Sequence, residues 1–160
     1  MSGFRMLIVV FAGLGLFIGC RSVPPVAADG SKPVFEVYVD PGVSGVSDPV
    51  QKKRRSEVGA WMAGDCVDIL ARGGCAASLA SSGTPSGDAT RYFLKITIKD
   101  YRWRYMGTSL DVEYKLSRGG KCVLSSSGGC GTSRNWRNCC RKINTDIVDA
   151  IRDAFSAGKR

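Results

Sequence analysis

Seven cysteines carry most of the chemistry that this 160-residue sequence implies. Cys20 stands apart from the other six, because it directly follows residues 6–19, which are uncharged and mostly apolar, and Arg5 precedes that run. The run is too short for a membrane-spanning helix, which needs roughly 20 apolar residues. A positive residue followed by a short apolar run is typical of a secretory signal. The thiol of Cys20 therefore lies where an export signal ends.

The residues that end this run, Phe17-Ile18-Gly19-Cys20, resemble the lipobox of bacterial lipoproteins, with Phe17 in the place of the usual leucine. The resemblance implies cleavage before Cys20, diacylglycerol on its sulfur and acylation of the new amine. Two or three acyl chains would anchor the protein stably, since each buried CH₂ contributes about 0.8 kcal/mol. The alternative is an ordinary secretory signal beside an incidental cysteine.

The residues after Cys20 predict how the chain is divided. Residues 21–33 are rich in Pro, Ala, Ser and Gly without an apolar period, which is typical of a flexible tether. We predict a signal peptide over residues 1–19, a lipidated Cys20 and tether over 20–33, and a single domain over 34–160. Arg21 rather than Asp follows Cys20, and resemblance to the sorting rule of enteric bacteria then implies the outer membrane, with the domain facing the periplasm.

The other six cysteines are disulfide candidates, because an even number in an exported chain is typical of an oxidising compartment. They are Cys66, Cys75, Cys122, Cys130, Cys139 and Cys140. The sequence does not choose among their pairings. The chain has no histidine and no paired C-x2-C spacings, so we predict no metal site. Cys139 and Cys140 could instead be a redox pair, although redox proteins normally use C-x-x-C.

The charge of the chain is strongly basic. Loss of residues 1–19 removes only Arg5, so that 22 Lys and Arg face 14 Asp and Glu, a net charge of +8. Export argues against nucleic acid as the partner and favours anionic lipid, polysaccharide or an envelope protein. A solubilising surface charge is the alternative.

Two basic clusters are candidates for binding an anionic surface. The first cluster is Lys52, Lys53, Arg54 and Arg55. It lies near the start of a predicted helix, where cations oppose the macrodipole. The second cluster is Arg102, Trp103, Arg104 and Tyr105, in which arginines alternate with aromatic residues. That alternation suits a membrane interface or a sugar-bearing ligand. A solvated face, or a buried Trp103, is the alternative.

Enzymatic chemistry has few candidates in this sequence. Acid–base catalysis without histidine needs paired carboxylates or an activated lysine. Asp65 lies in the apolar stripe of the first predicted helix, with Asp68 close by. The favoured alternative is that Asp65 meets an arginine or an amide. We therefore expect a non-enzymatic accessory or binding role, with no catalytic residues and no cofactor.

Apolar periodicity predicts a β-α-β-β-β-β-α order. A strand at 34–39 precedes a helix that begins at Asp48-Pro49 and ends at Gly73-Gly74, and residues 75–80 then form a short strand. Residues 92–105 alternate with a change of phase at Asp100, which predicts a β-bulge. Strands at 110–116 and 121–133 follow. The last helix has an apolar stripe of Trp136, Cys140, Ile143, Ile147, Ile151 and Phe155. We predict an α+β fold: a single antiparallel-rich sheet with two helices on one face.

This layout behind a lipobox resembles a broad set of small Gram-negative lipoproteins. They include the lipopolysaccharide-assembly lipoprotein, the auxiliary lipoproteins of ABC-type transporters and several uncharacterised families. The resemblance depends on a strand ending in Lys99-Asp100-Tyr101, the strand LDVEYKL, a glycine turn and a final helix. It implies an accessory role in envelope assembly or transport, and no catalytic residue is carried over.

Overall fold

A computed structural model describes residues 32–104 and 107–157. The order of elements is the predicted one. The elements are β1 (Val34–Asp40), α1 (Pro49–Arg72), β2 (Ala76–Leu79), β3 (Arg91–Arg104), β4 (Gly107–Arg118), β5 (Lys121–Ser133) and α2 (Trp136–Ala157). The predicted signal peptide, Cys20 and most of the predicted tether lie outside the described residues.

The five strands form one sheet in the order β2-β1-β3-β4-β5. β1 is parallel to β2 and to β3, whereas β3, β4 and β5 form an antiparallel meander. The predicted α+β fold with a single antiparallel-rich sheet is confirmed. Because α1 connects β1 to its parallel neighbour β2, these three elements form a βαβ unit.

A β-bulge interrupts β3 at the predicted place. The register against β4 shifts between Ile98 and Asp100, so that Lys99 is the extra residue. Tyr92, Leu94, Ile96 and Ile98 are buried before the bulge, and Tyr101 is buried after it. The extra residue therefore explains why the apolar alternation of the sequence changes phase there.

The first helix begins and ends at its local signals. The Asp48 carboxylate accepts a hydrogen bond from the Val50 backbone N–H at 2.8 Å, and Pro49 occupies the first turn. The helix ends before Gly73, and Gly74 takes the left-handed conformation with φ +87°. No helix within residues 32–104 and 107–157 is long and apolar enough to cross a membrane.

Both helices pack on one face of the sheet, and the core lies between them and the strands. Fully buried core side chains include Phe35, Met62, Leu94, Leu116 and Ile143. We call the opposite surface the open face of the sheet; its outward side chains include Glu36, Lys95, Lys99, Asp111, Glu113 and Lys115. The loop at 81–90 reaches this face, where Ser86 Oγ donates to the Glu36 carboxylate at 2.8 Å.

Candidate functional site

One residue of each basic cluster meets the other in the folded chain. The guanidinium carbon of Arg54, on α1, lies 4.1 Å from the ring centroid of Trp103, near the end of β3. Trp103 is 52% exposed, so it belongs to the surface and not to the core. This cation–π contact connects the N-terminal half of α1 to the sheet.

A small open cleft lies beside this contact. Its volume is about 220 Å³, and its lining residues are Arg54, Glu57, Val58, Tyr101, Trp103 and Trp136. Burial raises the pKa of the Tyr101 hydroxyl, and the nearby Arg54 charge partly opposes that rise. Ligand pockets that enclose a small molecule usually measure roughly 300–1,000 Å³. The cleft is therefore suited to one charged or polar group presented from outside.

Further aromatic and basic side chains extend from this cleft along the line where α1 and α2 pack together. Trp136 meets Trp61 edge to face at 5.6 Å between centroids. The guanidinium of Arg137 lies 5.3 Å from the Trp136 ring, and that of Arg141 lies 5.8 Å from the Trp61 ring. Each of the three tryptophans of the chain therefore has an arginine guanidinium close to its ring. We call this set the aromatic–arginine surface: Arg54, Trp61, Trp103, Trp136, Arg137 and Arg141.

The other basic residues predicted to bind anions have different surroundings. Lys52 and Lys53 are exposed on α1. Arg55 donates through Nη1 to the Gly42 carbonyl oxygen at 3.0 Å, so it also holds the loop that follows β1. Arg102 forms an ion pair with Asp100 at 2.6 Å, away from Trp103. The side chain of Arg104 lies outside the described part of the structure.

Asp65, the candidate for acid–base chemistry, joins the two helices. Its carboxylate accepts a hydrogen bond from Asn144 Nδ2 at 2.9 Å and lies 3.5 Å from Arg141 Nε. Asn144, which is fully buried, also donates to the Met62 carbonyl oxygen at 3.0 Å. Asp65 therefore meets both an arginine and an amide, as the favoured alternative predicted.

Asp68 does not complete a pair of catalytic carboxylates with Asp65. Asp68 is exposed, whereas the Asp65 side chain is 8% exposed and faces α2. A site with an acid and a base needs both groups within reach of the same substrate atom. The geometry supports a structural contact between α1 and α2 at Asp65.

Three of the predicted cysteines are buried among side chains of the core. Cys66 and Cys140 are fully buried, and burial, followed by the Asp65 charge, raises the pKa of each thiol to about 12. Burial is also the largest cause of the raised pKa of Cys139. Reactive redox thiols have a lowered pKa. The shifts of Cys139 and Cys140 are opposite in direction to those of reactive redox thiols.

The sequence alone missed three residues of this region. Arg137 and Arg141 belong to the basic stretch 134–142, whose four cations are a signal that could have marked them, and Asn144 is a polar residue within an apolar helix face. Asn144 could have been found, since a buried amide at helical spacing from core positions needs a hydrogen-bond partner. The partners themselves depend on how the two helices pack.

No protein-family model matches the chain, and no curated protein matches its sequence. The solved structures with a similar fold include protein XCC0632 from Xanthomonas campestris, of family model DUF330. That match has a TM-score of 0.50 and 11% identity, and covers 85% of this chain and 90% of that one. At this identity it shows a shared fold alone.

Two further solved structures are similar at lower scores. One is the PelC dodecamer from Paraburkholderia phytofirmans, with a TM-score of 0.48 and 16% identity over 79% of this chain and 92% of that one. The other is lipoprotein GNA1162 from Neisseria meningitidis, with a TM-score of 0.42 and 12% identity over 77% of this chain and 99% of that one.

Proposed function

We propose that this chain is a non-enzymatic lipoprotein of the cell envelope, anchored through Cys20 in the outer membrane and facing the periplasm. The support is the sequence Phe17-Ile18-Gly19-Cys20 directly after the uncharged residues 6–19. The α+β fold of residues 34–157 agrees with an accessory domain behind such an anchor. Its role would be in envelope assembly or transport.

The aromatic–arginine surface, together with Lys52 and Lys53, binds an anionic component of the envelope in this proposal. The observation that carries it is the contact of Arg54 with Trp103, because it brings together one residue from each of two clusters that are far apart in the sequence. A stacked guanidinium keeps its N–H donors at its edge, where they can bind phosphate or carboxylate groups.

Helix stability alone does not account for the charges on α1. Its first turn contains no acidic residue, and Lys52 and Lys53 follow directly. The Asp48 carboxylate caps this helix N-terminus, but the cations that follow oppose the helix dipole and so do not stabilise the helix there. An anionic partner would compensate the unfavourable charge.

Anionic lipid head groups are the partner nearest to this surface. Residues 21–33 could span at most about 45 Å when fully extended, so the domain stays close to the anchoring membrane. Lysines and arginines near an anionic membrane each contribute about 1 kcal/mol to binding. An acidic polysaccharide or an acidic envelope protein is the alternative partner, and both would need the same guanidinium groups.

The anchor is tested by labelling cells with a tagged fatty acid. We expect label on the wild-type chain and none on Cys20→Ala, because the thioether sulfur is lost. Cys75→Ala, which changes a cysteine of the folded domain, serves as the matched control and should keep the label. Equal labelling of the wild type and Cys20→Ala would contradict the anchor, and fractionation of the labelled wild type tests the outer-membrane location.

A further inference from the structure

Cys130 and Cys139 lie side by side where β5 leads into α2. The Cys139 thiol donates to the Cys130 carbonyl oxygen at 3.7 Å and to the Gly131 carbonyl oxygen at 4.0 Å. The Cys130 thiol also turns toward this place, since it donates to the Gly131 carbonyl oxygen at 3.3 Å. The two sulfur atoms therefore share one small region of the surface.

Cys140 points in a different direction from Cys139, although the Cys130 thiol is close enough to act on it electrostatically. Successive residues of a helix point in directions about 100° apart, because there are about 3.6 residues per turn. Cys139 turns toward β5, whereas Cys140 is fully buried near Asp65 of α1. Cys139 and Cys140 are adjacent in the sequence, but their side chains therefore have different surroundings.

The sheet keeps two further cysteines away from this region. Cys75 directly precedes β2, which is four strand spacings from β5, or about 19 Å across the sheet. Cys122 lies on the same strand as Cys130, eight residues or about 26 Å away along the strand. A disulfide needs Cα atoms within about 7 Å, so neither Cys75 nor Cys122 can reach Cys130 in this fold.

We infer that Cys130 and Cys139 form a disulfide bond in the exported protein, tying the end of β5 to the first turn of α2. The inference rests on the proposed envelope location, which supplies a disulfide-bonded oxidant. Cys130, the more exposed of the two, attacks the oxidant disulfide as a thiolate and forms a mixed disulfide. Cys139, as a thiolate, then attacks the Cys130 sulfur, and the oxidant leaves as two thiols after taking up two electrons and two protons.

The surroundings of Cys139 agree with its role as the second thiol to react. Burial, followed by the hydrogen-bonding Cys130 side chain, raises the pKa of Cys139 above its usual value. A buried thiol with a raised pKa reacts slowly with external reagents, whereas Cys130 can be reached from solvent. Bond formation should accordingly become faster as the pH rises.

The experiment uses the full chain from the envelope of expressing cells, with thiols blocked by N-ethylmaleimide in denaturant before digestion. Trypsin places Cys130 in peptide 122–134 and Cys139 in peptide 138–141. Because each peptide holds a second cysteine, the double variant Cys122→Ser/Cys140→Ala is analysed beside the wild type. We expect the two peptides linked in both proteins and separated by reductant.

A second measurement follows thermal unfolding of the full chain in detergent. Reductant should lower the Tm of the wild type by about 5–10 °C. It should change the Tm of Cys139→Ser much less, since that variant cannot form the bond.

Three results decide the inference. The pairing would be overturned if both cysteines were recovered as blocked thiols and the purified full chain formed no bond between them in excess oxidised glutathione. A bond between Cys130 and Cys140 in the wild type would also overturn it. The third result is that both cysteines are thiols in envelope material, but bond readily to each other in oxidised glutathione. That result would support the pairing and contradict the proposed compartment.

Discussion

The aromatic–arginine surface and the open face of the sheet both carry many cations, but they hold them differently. On the open face Lys99 lies 3.1 Å from Glu113 and Arg91 lies 2.9 Å from Glu36, whereas Lys95 and Lys115 lie opposite each other on β3 and β4. On the aromatic–arginine surface the guanidinium groups of Arg54 and Arg137 lie over tryptophan rings.

The positive charges of Lys99 and Arg91 are therefore already compensated by carboxylates. Those of Arg54 and Arg137 are available to an anionic partner. A carboxylate neutralises a cation, whereas an aromatic ring positions the cation without changing the net charge. Arg141 lies between these cases, because it contacts both the Trp61 ring and, at 3.5 Å, the Asp65 carboxylate. The number of Lys and Arg residues alone would not distinguish the two surfaces, since both contain several.

We expect the largest difference between variants of the two regions in the free energy of unfolding. Asp65→Ala removes the carboxylate that accepts from buried Asn144, and we expect the free energy of unfolding to fall by about 1–3 kcal/mol. Glu113→Ala on the open face removes an exposed ion pair and should change it by less than about 0.5 kcal/mol. Urea denaturation of both variants measures the difference, and equal losses would show that Asp65 does not hold the helices together.

A smaller effect is expected for the stacking of Arg54. Trp103→Ala removes the ring beneath the guanidinium, and an exposed cation–π contact contributes about 0.5–1 kcal/mol, or about two- to fivefold in affinity. Binding to anionic vesicles should weaken by that factor. Leu79→Ala is the matched control, because Leu79 is another exposed apolar side chain, on the edge strand β2. An equal loss in both variants would mean that Trp103 acts only as exposed apolar area.

Local signals made much of the fold predictable from the sequence. Asp48 and Pro49 set the start of α1, and the change of alternation at Asp100 revealed the bulge. The hairpin before β5 was predictable because Gly119 and Gly120 both adopt positive φ, which few other residues tolerate. Each of these features depends on residues that are neighbours along the chain.

The candidate site was predictable only in part, because its contacts join distant segments. The sequence marked Arg54 and Trp103 separately, but their contact depends on how α1 packs beside β3. It also grouped Arg102 with Trp103, whereas the alternation of a strand sends neighbours to opposite sides, and Arg102 pairs with Asp100. The disulfide candidates were likewise marked by number, and only the fold brings Cys130 to Cys139.

Vesicle binding by two charge-matched variants tests the central claim most directly. The domain, residues 34–160 made without its lipid, is mixed with neutral vesicles or with vesicles containing anionic lipid. One variant changes the first basic cluster to glutamine, and the other changes four cations of the open face. The two sets are Lys52, Lys53, Arg54 and Arg55, and Lys95, Lys99, Arg102 and Lys115.

Both variants lose four positive charges; the first also loses the Arg55 hydrogen bond to Gly42, and the second loses the ion pairs of Lys99 and Arg102, so circular dichroism must first show that both are folded. We predict that the wild type binds anionic vesicles better than neutral ones, and that the first variant loses at least about tenfold in affinity while the second loses much less. Binding should also weaken as salt shortens the Debye length to about 8 Å at physiological ionic strength. Equal losses in the two variants, or binding that is insensitive to salt, would contradict an anion-binding role for this surface.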